Sequence, residues 1–151
     1  MSRIPLLALG AIGALCAAGP AWAEGKPLPP PASSAMPPVE LTITLDNGKP
    51  VCAPAEVLLP ADTNVELHVV SQASAPVTIT MGDQFENGRV LHADGDLIHV
   101  MSEKGYLVKQ NGKGTLRLRT MKAGSQDYAC TSTKNQDAPF KGKLTLTPPA
   151  N

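Results

Sequence analysis

The residues of this 151-residue chain best suited to metal chemistry are the histidines and methionines of one short segment. His92, His99 and Met101 lie close together there, and Met81 precedes them. Imidazole and thioether groups suit copper, so the segment is a candidate copper site. Its alternative is an exposed loop histidine and two core methionines, because methionine commonly fills gaps in cores. In favour of a copper site, His99 and Met101 are predicted to share one strand face. Against it, Leu91 to Asp96 is predicted to form a turn.

The N-terminal segment has the features of a cleavable signal, and its removal determines which cysteines the mature protein contains. Arg3 is followed by an apolar stretch from Ile4 to Ala18, and Ala21-Trp22-Ala23 is a small-x-small cleavage signal. These features predict a secretory signal peptide over residues 1–23 and a mature chain that is periplasmic or secreted. A membrane-spanning helix needs about 20 apolar residues, and this stretch is shorter. We therefore expect no membrane insertion after cleavage.

Cleavage after Ala23 leaves two of the three cysteines. Cys16 is removed with the signal, whereas Cys52 and Cys130 remain. In an oxidising compartment an even number of cysteines is more often disulfide-bonded than free. The sequence therefore favours a bridge, with two free thiols as the alternative.

Charge and composition exclude some functions. After processing, the chain has one more acidic than basic residue, which argues against nucleic acid or an anionic membrane as partner. No nucleophile lies beside a base at a diagnostic spacing, and no glycine-rich phosphate loop occurs. Asp94 and Asp96 flank Gly95 as in a hydrated turn. We expect a protein that is not an enzyme.

The mature chain divides into a linker and one domain. Residues 24–38 are rich in proline and alanine, as in a semi-rigid tether; a leader without a role is the alternative. Residues 39–149 alternate apolar and polar positions, as in Leu116 to Leu118 and Leu144 to Leu146. This period of two predicts an all-β sandwich of seven or eight strands. Three Asn-Gly pairs between apolar runs predict tight hairpin turns: Asn47-Gly48, Asn87-Gly88 and Asn111-Gly112.

Two segments narrow the fold. The first runs from Cys52 through Pro54, Pro60 and Val65 to Leu67, and the second from Gly124 through Tyr128, Cys130, Phe140 and Gly142 to Leu146. Together they resemble the second strand and the closing copper-ligand strands of cupredoxins. The resemblance implies a cupredoxin-like Greek-key β-sandwich and places Cys130 where the family has its copper cysteine.

The departures from the family are as informative as the matches. Type-1 copper needs two imidazoles, a thiolate and usually a weak axial methionine. Val77 stands where the family has histidine, no histidine lies between Cys130 and Phe140, and Phe140 stands where methionine is expected. Cys52 takes the place of an aromatic residue that packs near the copper cysteine. The resemblance therefore implies a Cys52–Cys130 disulfide in place of the metal and no resident cofactor.

Three functions remain open from the sequence. The first is an exported, non-enzymatic module without a complete type-1 copper site, a binding or accessory protein related to metal handling. The alternative is a copper-binding or electron-transfer protein with an unusual site at His92, His99 and Met101. A secreted enzyme subunit that needs a partner is a weaker third. The partner is an unidentified protein or a metal ion, and the basic stretch from Lys104 to Lys122 is either a solvated edge or a docking surface for an acidic protein.

Overall fold

The computed structural model describes residues 38–148, so the predicted signal peptide and nearly all of the predicted linker lie outside the described residues. Eleven β-strands follow one another: β1 (Val39–Asp46), β2 (Lys49–Ala53), β3 (Glu56–Pro60), β4 (Asn64–Ser71), β5 (Val77–Thr80), β6 (Val90–Gly95), β7 (Leu97–Val100), β8 (Gly105–Val108), β9 (Lys113–Arg119), β10 (Gly124–Ser132) and β11 (Asn135–Thr147). Two short 3₁₀ turns, Gly82–Phe85 and Met101–Glu103, follow β5 and β7. No helix within this range is long and apolar enough to cross a membrane.

The strands form two sheets. Sheet A has the order β2-β1-β4-β9-β6, and sheet B has the order β3-β11-β10-β5-β8-β7. Most neighbours are antiparallel, whereas β1 with β4 and β11 with β3 are parallel. Many neighbouring strands are not consecutive in the chain, so connections cross between the sheets, as in Greek-key sandwiches. The predicted all-β sandwich is confirmed.

Alternation along the strands builds the core between the sheets. In β4, Val65, Leu67 and Val69 are buried, and the residues between them are partly exposed. Leu116 and Leu118 on the neighbouring β9 face the same way and are fully buried. Each strand therefore contributes one apolar face to a shared core, which is why a period of two predicted the fold.

The strand number differs from the predicted seven or eight. The additional strands are short ones at the sheet edges, β2, β3, β6 and β7. The segment Leu91 to Asp96 was predicted as a turn, and this is wrong: β6 spans Val90–Gly95 and pairs with β9. Backbone hydrogen bonds to β9 form this edge strand, and none of its residues is buried. Its sequence therefore need not alternate between apolar and polar residues, and the pattern of a strand is absent.

Only one of the three Asn-Gly pairs forms a hairpin between paired strands. Asn47 and Gly48 have positive φ angles of 50° and 77° and join β1 to its antiparallel neighbour β2. Asn87-Gly88 instead connects a 3₁₀ turn to β6. Asn111-Gly112 connects β8 in sheet B to β9 in sheet A. The Asn-Gly pairs thus predicted where the chain turns, but not which strands pair on either side of each turn.

Candidate functional site

The predicted disulfide between Cys52 and Cys130 is present and links the two sheets. Cys52 lies on β2 of sheet A, and Cys130 lies on β10 of sheet B. Their sulfur atoms are 2.06 Å apart and their Cα atoms 6.6 Å apart. Both residues belong to the buried core. The bridge is therefore an internal link between the sheets and not a surface feature.

Hydrophobic side chains surround Cys130 within sheet B. Cys130 lies opposite Ile79 on β5 and opposite Phe140 on β11. Val77, two residues before Ile79 on β5, is fully buried in the same core. Beyond the bridge, β10 and β11 continue as a hairpin as far as the Ser132–Asn135 pair. The segment that would carry further copper ligands is thus a paired hairpin.

These residues do not fit a type-1 copper centre. The Cys130 sulfur is bonded to Cys52 and is not a free thiolate. Val77 and Phe140 have no donor atom in their side chains, whereas the family has an imidazole and a thioether at these positions. The nearest histidine across sheet B is His99, on β7. Three strand spacings separate β7 from β10, which amounts to about 14 Å. That distance is too long for both residues to bind one ion.

A second candidate site is a cleft of about 450 Å³ at the opposite edge of the sandwich, which we call the edge cleft. One wall follows the first 3₁₀ turn into β6 of sheet A, and the other runs from β7 into β8 of sheet B. The cleft is lined by Phe85, Glu86, Asn87, Gly88, Val90, His99, Met101, Lys104 and Tyr106. It brings together two of the three predicted copper ligands, His99 and Met101.

His92, the third predicted ligand, lies elsewhere. It faces outward from β6, opposite Arg117, and its Nε2 is 3.6 Å from Oδ2 of Asp94. The chain passes from sheet A to sheet B between His92 and His99, where Gly95 has a φ angle of 73°. Asp96 anchors this crossing, because its carboxylate accepts a hydrogen bond from the Lys113 backbone N–H at 3.1 Å.

The methionines divide between core and surface. Met81 is fully buried, whereas Met101 is 80% exposed. The expectation that His99 and Met101 share a strand face is wrong, because β7 ends at Val100 and Met101 begins a 3₁₀ turn.

Among residues 38–148, no group of three or more His, Cys, Asp or Glu side chains is arranged to hold a metal ion.

Aromatic rings and one ion pair complete the edge cleft. The Tyr106 ring stacks with His99 at a centroid distance of 5.0 Å and forms a T-shaped pair with Phe85 at a centroid distance of 5.2 Å. Burial raises the pKa of Tyr106. At the rim, Nζ of Lys104 lies 3.2 Å from Oε1 of Glu86 and connects the two walls. Sequence analysis placed Lys104 in the basic stretch but did not group it with Glu86, Phe85 and Tyr106, because the two walls of the cleft belong to different sheets.

No protein-family model and no curated protein matches this chain. Among solved structures, Lac15 from a marine microbial metagenome matches 76% of this chain and 33% of its own, with 13% identity and a TM-score of 0.50. A multicopper oxidase from Campylobacter jejuni matches 82% of this chain and 31% of its own, with 12% identity and a TM-score of 0.50. Auracyanin B matches 75% of this chain and 91% of its own, with 20% identity and a TM-score of 0.46.

The chain spans about a third of the length of the first two structures. At these identities the likeness concerns the fold. It agrees with the two-sheet topology. The chain therefore has a cupredoxin-like fold.

Proposed function

We propose that this protein is an exported, non-enzymatic cupredoxin-like module, without a type-1 copper site, that acts as a binding or accessory protein in metal handling. The observation that carries the proposal is the Cys52–Cys130 disulfide. A disulfide sulfur is not the thiolate that type-1 copper requires. The predicted signal peptide supports export. The disulfide also supports it, because disulfides persist in oxidising compartments.

The first test combines mass spectrometry with alkylation, on protein taken from its native compartment. Export predicts a mature chain that begins at Glu24. We expect no alkylation of the native or denatured protein, and two alkyl groups after denaturation with reduction. Two thiols that react before reduction would contradict the proposal, as would a mass that still includes the signal peptide.

Copper loading tests the second part of the proposal. The oxidised protein should develop no intense blue absorption with Cu(II), because that absorption arises from a copper–thiolate bond. A blue, stoichiometric complex would refute the loss of the type-1 site. The control is a titration of the reduced protein, freed of reductant, with Co(II), which thiols do not reduce and which shows whether the freed cysteines can bind a metal.

The second candidate function is copper binding or electron transfer at an unusual site. One observation favours it: His99 and Met101 line the same cleft. His92 is not among the lining residues, so any such site uses fewer of the predicted ligands. Reversible one-electron reduction of a stoichiometric copper complex would support electron transfer over simple metal binding.

A further inference from the structure

The edge cleft holds a nitrogen donor and a sulfur donor beside the oxygen donors of Glu86, Asn87 and Tyr106. The imidazole of His99 and the thioether of Met101 line it together. Thioether sulfur selects soft ions such as Cu(I), and imidazole also suits copper. Calcium, magnesium and manganese favour oxygen ligands. The donor pair therefore fits a soft, monovalent ion.

Packing against Tyr106 orients the His99 imidazole for binding an ion. His99 lies directly opposite Tyr106 in the β7–β8 pair, and their rings stack with an interplanar angle of 27°. The Tyr106 ring in turn forms a T-shaped pair with Phe85, and both of these rings are buried. His99 itself is exposed to solvent. This stacking reduces the rotamer freedom that His99 would lose on binding an ion.

Met101 is placed unusually for a methionine. Methionine side chains are among those most often buried, yet Met101 is the most exposed of the large hydrophobic residues within the described part of the chain. Its side chain contributes little to the core and lies at the cleft. Exposure at this position leaves the sulfur free to bind a ligand.

The charge of the rim also suits a monovalent ion. Glu86 is the carboxylate that lines the cleft, and it is paired with Lys104. The pair leaves no net negative charge to balance a divalent ion.

We propose that the edge cleft binds Cu(I) through His99 and Met101, with Tyr106 supporting the imidazole. The proposal rests on the metal-handling role proposed above and names its ligand and residues. His92, which sequence analysis grouped with this pair, takes no part.

Ag(I) is the probe of choice, because it shares the soft, monovalent character of Cu(I) and needs no reductant. The disulfide therefore stays intact during titration of the mature, oxidised protein. We expect one equivalent to bind, with NMR shifts at the Met101 methyl group and the His99 ring. Zn²⁺ at the same concentration should not displace it, since thioether sulfur is not among the ligands of structural and catalytic zinc sites.

Two conservative variants test the donors. Met101→Leu keeps the apolar volume without sulfur, and His99→Phe keeps a ring that stacks on Tyr106. Each should weaken Ag(I) binding by about tenfold or more, since even the loss of groups that support a ligand weakens metal sites by about 10–100-fold. Unchanged unfolding midpoints would exclude misfolding as the cause of any loss.

Matched controls are His92→Gln and Met121→Leu, which remove the same donor types outside the edge cleft. Both should bind Ag(I) as the wild type does. Failure of the wild type to bind, undiminished binding by both donor variants, or loss in the His92 variant would overturn the proposal. None of these outcomes alters the thiol count, so the disulfide-based function can fail or stand separately.

Discussion

Tyr128 is the residue whose ionisation the fold changes most clearly. Its hydroxyl donates a 2.6 Å hydrogen bond to the carbonyl of Pro54, and its ring is buried. Burial raises the pKa of Tyr128 to about 12. The neutral phenol is therefore favoured by folding. Its contribution to stability is complete below the unfolded-state pKa near 10 and is lost as the pH rises toward about 12.

Phenolate absorbance measures this prediction directly, because the chain has two tyrosines. In the native protein, both should titrate above the usual value, and Tyr128 should titrate later than in denaturant. Tyr128→Phe serves as the control and should remove the titration near 12. A step near pH 10 that disappears in this variant would show that the residue is not buried as described.

Gln84 is a fully buried polar residue that holds two segments of backbone. Its Nε2 donates to the carbonyl of Arg119 at 2.9 Å, and its Oε1 accepts from the N–H of Met121 at 3.0 Å. Gln84→Leu leaves both backbone groups without this partner. We expect a loss of about 2–5 kcal/mol in the free energy of unfolding, measured in urea.

Gln110 gives the matched control, because it is exposed. Gln110→Leu should change stability by no more than about 0.5 kcal/mol. Equal effects of the two substitutions would mean that the buried hydrogen bonds contribute nothing measurable.

At the scale of elements, two glycines serve different needs of the strands. Gly48 has a φ angle of 77° in the β1–β2 hairpin, and a Cβ there would meet no atom within 4 Å. Gly142 on β11 lies opposite Tyr128, and a Cβ there would collide with the Tyr128 ring and the Ala55 carbonyl. Gly48 is needed for its positive φ angle, and Gly142 is needed because there is no room for a side chain.

Alanine at each position separates these requirements. Gly48→Ala should destabilise by about 1–2 kcal/mol, the cost of a left-handed residue with a Cβ. Gly142→Ala should cost about 3 kcal/mol, because the collision displaces a buried ring and backbone. Urea unfolding of both variants gives the comparison. A smaller effect at Gly142 than at Gly48 would contradict the close packing of β11 against Tyr128.

At the scale of the whole molecule, the disulfide is a side-chain link between the sheets, and it joins residues 78 positions apart. Closing so long a loop restricts the unfolded chain. Replacing both cysteines with alanine should lower the free energy of unfolding by about 2–4 kcal/mol. A reductant should destabilise the wild type similarly and leave the double variant unchanged. Equal stability of the two oxidised proteins would exclude a stabilising role for the bridge.

Local sequence patterns determined the class of fold. Alternation in segments such as Leu116 to Leu118 gives each strand a buried face and an exposed face, whichever strand it pairs with. Resemblance to cupredoxins over two segments also predicted the Cys52–Cys130 bridge. The signal peptide and the linker stay predictions, since they rest on residues outside 38–148.

Tertiary structure alone decided which candidate ligands meet. His92 and His99 are near in sequence, but the chain changes sheet between them, so the first faces outward from sheet A and the second lines the edge cleft. Phe85 joins His99 there from the other wall. Strand pairing and sheet crossing depend on contacts between distant residues, which a pattern with a period of two does not encode. The sequence by itself therefore determined the sandwich and its cysteine pair, and tertiary packing determined the cleft.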